Sequence, residues 1–335
     1  MKTASYFTRL DDHKVRCELC PHHCVIREGK RGFCLTRQNK DGILVSANYC
    51  RPVSTAVDPI EKKPLYHFRP GRTIFSTGPN GCTFKCSFCQ NCEISQEILP
   101  TREVSAAKLA RSIIDSRTIG AAYTYSEPYI WYETIMDVGS RVKEAGLCNV
   151  MVTNGYMEPA PLDDLLRIVD AMNIDIKSMN PDFYRRLCKG ELQPVLRTCE
   201  TVKKHAHLEI TNLLITGEND SENEIRKLVS FIATNLGSDT PLHISRYFPR
   251  YKLAHPATAE RSLLSAWELA REKLDFVYLG NTHARDKADT FCPSCGALLV
   301  TRSGYRTAVT RELARQPDGS TRCGTCSRKI ALVPA

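Results

Sequence analysis

From residue 73 onward the chain alternates short runs rich in β-branched and aromatic residues with longer stretches whose apolar positions recur every three or four residues. That alternation predicts strands joined by helices, and hence a parallel sheet rather than a sandwich or a bundle. Strands are expected near 73–76, 120–125, 149–153, 171–176, 207–214 and 241–246, and helices near 105–116, 129–144, 161–170, 193–204, 221–236 and 258–273. Several ends carry their own signals. Ser221 with Glu224 reads as a capping box, Asn180-Pro181 as an N-cap followed by proline at the first helical position, and Gly146 as the left-handed residue after a helix. Parallel βα repeats present ligands at the carboxyl ends of their strands, so the residues just after each strand are the ones to search.

The length of 335 residues suits two domains or one large α/β barrel with extensions. No apolar run approaches the eighteen or so residues that would span a bilayer, which argues against a membrane protein. Met1 to Arg9 lack the apolar segment of a signal peptide, so the 16 cysteines are expected in a reducing cytoplasm. There, cysteines serve metal or redox chemistry rather than a disulfide framework. Five pairs are spaced i, i+3 (17/20, 86/89, 89/92, 292/295 and 323/326), where random placement gives fewer than about one.

The net charge of +9 raises nucleic acid as a partner, but its distribution offers another account. Lys+Arg against Asp+Glu is 14 to 7 in residues 1–75, 23 to 26 in 76–284, and 9 to 4 in 285–335. The basic ends are also where Cys17, Cys20, Cys24 and Cys34, and Cys292, Cys295, Cys323 and Cys326, are found. A four-thiolate site around zinc or an iron–sulfur core carries roughly −2. Much of the excess is therefore expected to neutralise the chain's own metal sites. Cys292-x2-Cys295 and Cys323-x2-Cys326 form two knuckles, and Cys17-x2-Cys20-x3-Cys24-x9-Cys34 forms another quartet, with His22 or His23 as substitutes. Spacing leaves zinc and iron–sulfur open at both.

After the first strand comes Cys82-x3-Cys86-x2-Cys89, a spacing that lets one loop offer three thiolates to a cubane and leave one iron open. Here the chain resembles the radical S-adenosylmethionine (SAM) superfamily, in which C-x3-C-x-aromatic-C stands at this place. Asn80-Gly81-Cys82 through Asn91, Tyr123-Thr124-Tyr125-Ser126-Glu127-Pro128, Thr153-Asn154-Gly155-Tyr156 and Asp175-Ile176-Lys177 look like enzymes related to the pyruvate formate-lyase activating enzyme. Cys17 to Cys24 and the C-terminal cysteine pairs are most similar to the AmmeMemoRadiSam branch.

The resemblance implies a partial (β/α)6 TIM-like barrel, residues 71–284, between an N-terminal Cys-rich extension, 1–70, and a C-terminal Cys-knuckle, zinc-ribbon-like extension, 285–335. It implies a [4Fe–4S] cluster on Cys82, Cys86 and Cys89 and reductive cleavage of SAM to a 5′-deoxyadenosyl radical that abstracts hydrogen from a substrate. Reduced ferredoxin or flavodoxin would donate the electron; a protein substrate or MEMO-like partners are within its scope. By matching motifs, Phe88 would lie near the adenine, Ser126 and Glu127 stand where relatives carry Gly-Gly-Glu beside the methionyl amino group, and Asn154, Asp175 and Lys177 match SAM-pocket positions. Two departures stand out. Tyr125-Ser126 replaces the double glycine, and Val152 stands where the activating enzymes carry an Asp of a monovalent-cation site, so that cation is not expected.

Each assignment has a plainer rival. The triplet could be a structural zinc site, Asp175 and Lys177 an ordinary strand-end ion pair, and Glu127-Pro128 the start of a helix. Cys92 extends the run and is conceivable as a fourth ligand; Cys50, Cys148, Cys188 and Cys199 read as core. His243 and His283 lie near strand ends and face either substrate or the core. The alternative for the whole chain is a zinc-ribbon nucleic-acid-binding protein without SAM chemistry.

Overall fold

The computed structural model describes residues 1–282 and 284–334, so His283 lies outside the described residues. Its centre is an eight-stranded sheet: β1 (Ser54–Pro59), β2 (Thr73–Gly78), β3 (Gly120–Tyr123), β4 (Cys148–Thr153), β5 (Ala171–Asp175), β6 (His207–Leu214), β7 (Leu242–Arg246) and β8 (Val277–Gly280). They lie side by side in chain order; β2 to β8 are parallel and β1 is antiparallel to β2. Among the described residues β1 and β8 do not pair, so the sheet is a partial barrel.

The longest helix in each connection between the parallel strands is α1 (Ala106–Asp115), α2 (Tyr132–Glu144), α3 (Pro159–Leu165), α4 (Leu192–His205), α5 (Glu222–Phe231) or α6 (Glu260–Arg271). The six expected strands and six helices are present; β1 and β8 are additions. All four residues of β3 are buried, as expected of a parallel strand covered on both faces. Asn180 caps its helix by accepting from the Asp182 N–H, and Gly146 is left-handed at φ +75°. The expected capping box is only half formed. Ser221 Oγ accepts from the Glu224 N–H at 3.3 Å, but the Glu224 carboxylate turns away to the Ser178 hydroxyl (2.7 Å) and Met179 N–H (3.1 Å), tying α5 to the end of β5. α3 ends at Leu165, short of the expected 170.

The floor of the barrel is built on Glu209, a fully buried carboxylate on β6. It accepts from the Tyr66 and His67 amides at 3.0 and 2.7 Å, and meets His207 Nε2 at 2.9 Å and His243 Nε2 at 2.6 Å. Four partners offset the cost of burial and hold the acid well below the usual carboxylate range. His243 therefore belongs to the floor rather than to a substrate site. The C-terminal strands dock underneath: Arg302 donates to the Tyr66 carbonyl at 2.8 Å and stacks over its ring, and His67 Nδ1 reaches the Ala331 carbonyl at 2.7 Å.

A carbonyl can only accept, so His67 carries its proton on Nδ1 and accepts from the Tyr278 hydroxyl at Nε2, 2.6 Å away. Burial holds this neutral ring down to about 4. The unfolded value is near 6.5, so the stabilisation is full above about pH 6.5 and is lost as pH falls toward 4. Glu209 acts in the same direction below about pH 4.5, since its folded value is depressed. Thermal stability should therefore drop as pH is lowered from 7 to 4.5, by roughly 3 kcal/mol at full protonation of His67. His67→Gln should flatten that slope while lowering stability at pH 7; equal slopes would remove His67 from this role.

Candidate active site

The carboxyl ends of β2 to β7, with Asn281 just past β8, surround a cleft of about 580 Å³. The loop after β2 supplies Cys82, Cys86 and Cys89 to its wall, together with Phe88. Donors converge on the sulfurs. The Phe84 N–H lies 3.3 Å from Cys82 Sγ, Asn154 Nδ2 lies 3.6 Å from the same sulfur, and the Ser95 hydroxyl lies 3.1 Å from Cys89 Sγ. Burial pushes the Cys82 and Cys89 thiols up, while Cys86 is raised first by its hydrogen bond with the Cys188 sulfur and then by burial. Amide and hydroxyl groups directed at sulfur stabilise thiolates bound to iron, so these contacts fit a cluster held by three cysteines. Cys92 opens the short helix Cys92–Gln96 and does not line the cleft.

The other expected residues gather around the same space. Glu127, Ser126, Asn154, Asp175 and Lys177 all line it, as does the apolar Val152. Glu127 is buried and already engaged: Oε1 accepts from the Thr153 hydroxyl (2.6 Å) and Tyr129 N–H (3.0 Å), and Oε2 from the Asn154 N–H (2.8 Å). Burial nevertheless pushes it up to about 7. Its contacts fasten the end of β4 to the turn after β3, and a carboxylate's remaining lone pairs leave room for another donor. Ser126 donates to the Pro79 carbonyl at 2.6 Å, joining that turn to the cysteine loop. Lys177 Nζ pairs with Asp175 Oδ2 at 3.1 Å and sits 5.9 Å from the centre of the Phe88 ring. Burial opposes its charge, but Asp175 and the Cys86 and Cys188 sulfurs outweigh this and hold Lys177 well above its ordinary value.

Several participants were not legible in the sequence. Tyr125, which the resemblance sets in place of a glycine, has a left-handed backbone (φ +75°). It is tied down: its hydroxyl donates to Asp58 Oδ2 at 2.9 Å, Lys63 Nζ lies 4.8 Å from its ring centre, and its carbonyl accepts from Asn91 Nδ2 at 2.6 Å. Asp58 also pairs with Lys62 and Lys63 at 2.9 and 2.7 Å. The tyrosine at a glycine position was the available signal; its partners on β1 and after it were not. Cys188, read as core, is fully buried and contacts Cys86.

The eight cysteines of the two terminal quartets fall into two unlike groups. Cys292 Sγ lies 3.5 Å from Cys326 Sγ and Cys295 Sγ lies 3.6 Å from Cys323 Sγ, with all four sulfurs within 4.8 Å of one another. A tetrahedron with Zn–S near 2.3 Å has edges of about 3.8 Å, so this quartet has the size of a single-ion site. Cys17, Cys20, Cys24 and Cys34 line one small pocket but do not close to that spacing.

Residues 77–232 match the Radical SAM superfamily model. An uncharacterized protein of Methanocaldococcus jannaschii is 42% identical over 99% of this chain and 100% of its own length. The pyruvate formate-lyase 1-activating enzyme of Escherichia coli K12 is 24% identical over 47% of this chain and 67% of its own. In fold, a radical SAM methyltransferase from Sphaerobacter thermophilus superposes with TM-score 0.50 at 18% identity, covering 69% of this chain and 71% of that one. The chain belongs to the radical SAM superfamily. It is homologous to the pyruvate formate-lyase activating enzymes, and members of the superfamily use a [4Fe–4S] cluster and SAM. Among the described residues no helix is long and apolar enough to cross a membrane.

Proposed function

We propose that the protein is an activating-enzyme-like radical SAM enzyme that abstracts hydrogen from a protein substrate in the cytoplasm, drawing electrons from reduced ferredoxin or flavodoxin. The single observation that carries this reading is the meeting in one cleft of three thiols from one loop with the Asp175–Lys177 pair and the Glu127–Asn154 junction. When bound, the cluster supplies the electron that cleaves SAM to methionine and the 5′-deoxyadenosyl radical. The chain's own residues bind and orient. Lys177, kept cationic, is the partner for the methionyl carboxylate, and Asp175 both steadies Lys177 and can accept from ribose hydroxyls. Phe88 is packed against Phe183, with ring centres 5.6 Å apart, and gives the adenine an apolar wall. A zinc ribbon that only binds nucleic acid accounts for the terminal cysteines but for none of these residues.

Lys177→Ala should retain the iron of the cleft and weaken SAM binding at least about tenfold, the effect of losing one charge-assisted hydrogen bond. Titration of the reconstituted enzyme with SAM checks this; lost iron with unchanged SAM affinity would show the residue misplaced. For the reaction itself, the decisive measurement is transfer of deuterium from a labelled candidate protein into 5′-deoxyadenosine. A glycyl-radical-type protein and a MEMO-like protein are the first two candidates. Transfer from neither protein but from an RNA or a small molecule would overturn the protein-substrate reading.

A further inference from the structure

The pocket lined by Cys17, Cys20, Cys24 and Cys34 is not part of the cleft, yet it has the features of a built site. Its four sulfurs come from a three-stranded sheet and two turns: Cys17 ends the strand Val15–Cys17, Cys24 precedes Val25–Ile26, the His23 N–H closes a turn on the Cys20 carbonyl at 3.1 Å, and the Leu35 N–H closes another on the Gly32 carbonyl at 2.9 Å. The Phe33 N–H lies 3.5 Å from Cys24 Sγ and the Thr36 hydroxyl 3.4 Å from Cys34 Sγ. Arg37, 1% exposed, lines the same pocket; it pairs with Glu133 at 2.7 Å, and its buried Nε has no partner among the described residues. A guanidinium with an unused buried N–H beside four thiols calls for an anionic occupant, since that donor is costly to leave unmade.

The size of the site separates the two kinds of occupant. The C-terminal quartet shows the spacing of a single ion, with sulfurs 3.5 and 3.6 Å apart. The N-terminal four line one small pocket together but do not bring even three ligand atoms within 4.8 Å of one another. In a cubane each thiolate binds a different iron, so the sulfurs stand on the order of 6 Å apart. We infer that Cys17, Cys20, Cys24 and Cys34 hold a second [4Fe–4S] cluster, closed by four thiolates, while the C-terminal quartet holds one zinc ion.

This site is built against the active-site loop. Gly81, at φ +96°, passes so close that a Cβ there would lie 2.4 Å from the Cys34 carbonyl. His22 Nε2 meets the Thr83 carbonyl at 2.7 Å, and Lys85 Nζ sits 5.2 Å from the Phe33 ring centre. Both neighbours of Cys82 are thus fixed by the N-terminal site.

The test uses the full chain carrying Cys82→Ala, Cys86→Ala and Cys89→Ala, reconstituted anaerobically with ferrous iron, sulfide and zinc. The expected content is about four irons, four sulfides and one zinc per chain, with a Mössbauer doublet of a cubane. Adding Cys17→Ser and Cys34→Ser should remove the iron and leave the zinc. Two zincs and no iron, or one zinc alone in a folded chain, would overturn the inference. Native mass spectrometry of the wild-type chain provides a check that needs no variant. Two cubanes and one zinc support the inference, and one cubane with two zincs sinks it. Failure of the functional reading looks different: the wild type would then hold one cubane, lost in the Cys17→Ser/Cys34→Ser chain and kept in the triple alanine variant.

Discussion

Replacing Cys82, Cys86 or Cys89 singly with alanine should lower 5′-deoxyadenosine formation by at least about a thousandfold, some 4 kcal/mol in barrier. The loop offers three sulfurs to the cleft, and a cubane left with two protein thiolates loses both its anchorage and its fixed open position. Substitution by a neighbouring sulfur is the one route to survival, and the geometry says where to look. Cys92 does not line the cleft, so it cannot replace Cys89 without unwinding the helix it opens. Cys188 is a different case: its sulfur contacts Cys86, and the amides of Lys85 and Ser87 donate to the Cys188 and Leu187 carbonyls at 2.8 and 3.0 Å. Any residual turnover should therefore appear in Cys86→Ala and vanish when Cys188→Ala is added. Near wild-type cleavage in Cys82→Ala or Cys89→Ala would defeat the assignment.

What could be read in advance followed from how local each signal is. The cysteine spacing and the βα alternation are written within a few residues, and the strands they predict are buried on both faces, which makes their composition unambiguous. β1 and β8 were missed for opposite reasons. Ser54–Pro59 is an edge strand that exposes Thr55 and Val57 and ends in proline, so it lacks a clean apolar face. Val277–Gly280 is apolar but only four residues long, too short to separate from the end of a helix. Longer-range chemistry left no trace at all. Glu209 is satisfied by amides 142 and 143 residues away, and Tyr125 is held by Asp58, 67 residues back. The same limit applies to the terminal cysteines: spacing marks both quartets, but only their separation in space tells a single-ion site from a wider one.

Cys323→Ser together with Cys326→Ser should release the C-terminal metal and cost the most stability of any change outside the cleft. Thiolate–zinc binding supplies on the order of 10 kcal/mol that the unfolded chain does not recover, and two lost thiolates forfeit most of it. The damage should not stop at the knuckles. Arg302, on the strand Leu298–Ser303, donates to the Ala288 carbonyl, the Thr290 hydroxyl and the Tyr66 carbonyl at 2.9, 2.8 and 2.8 Å, and Tyr66 is one of the residues whose amide holds Glu209. Loosening this sheet exposes the seam on which the barrel floor closes, so the midpoint of thermal unfolding should fall by ten degrees or more, about 7 kcal/mol for a chain of this size. The cleft, at the opposite ends of the strands, should be spared. At temperatures where the double variant stays folded, uncoupled SAM cleavage with a strong chemical reductant should remain within about threefold of wild type, roughly 0.7 kcal/mol in barrier. A folded double variant that keeps the iron on Cys82, Cys86 and Cys89 yet no longer cleaves SAM would show that the C-terminal quartet acts in the reaction.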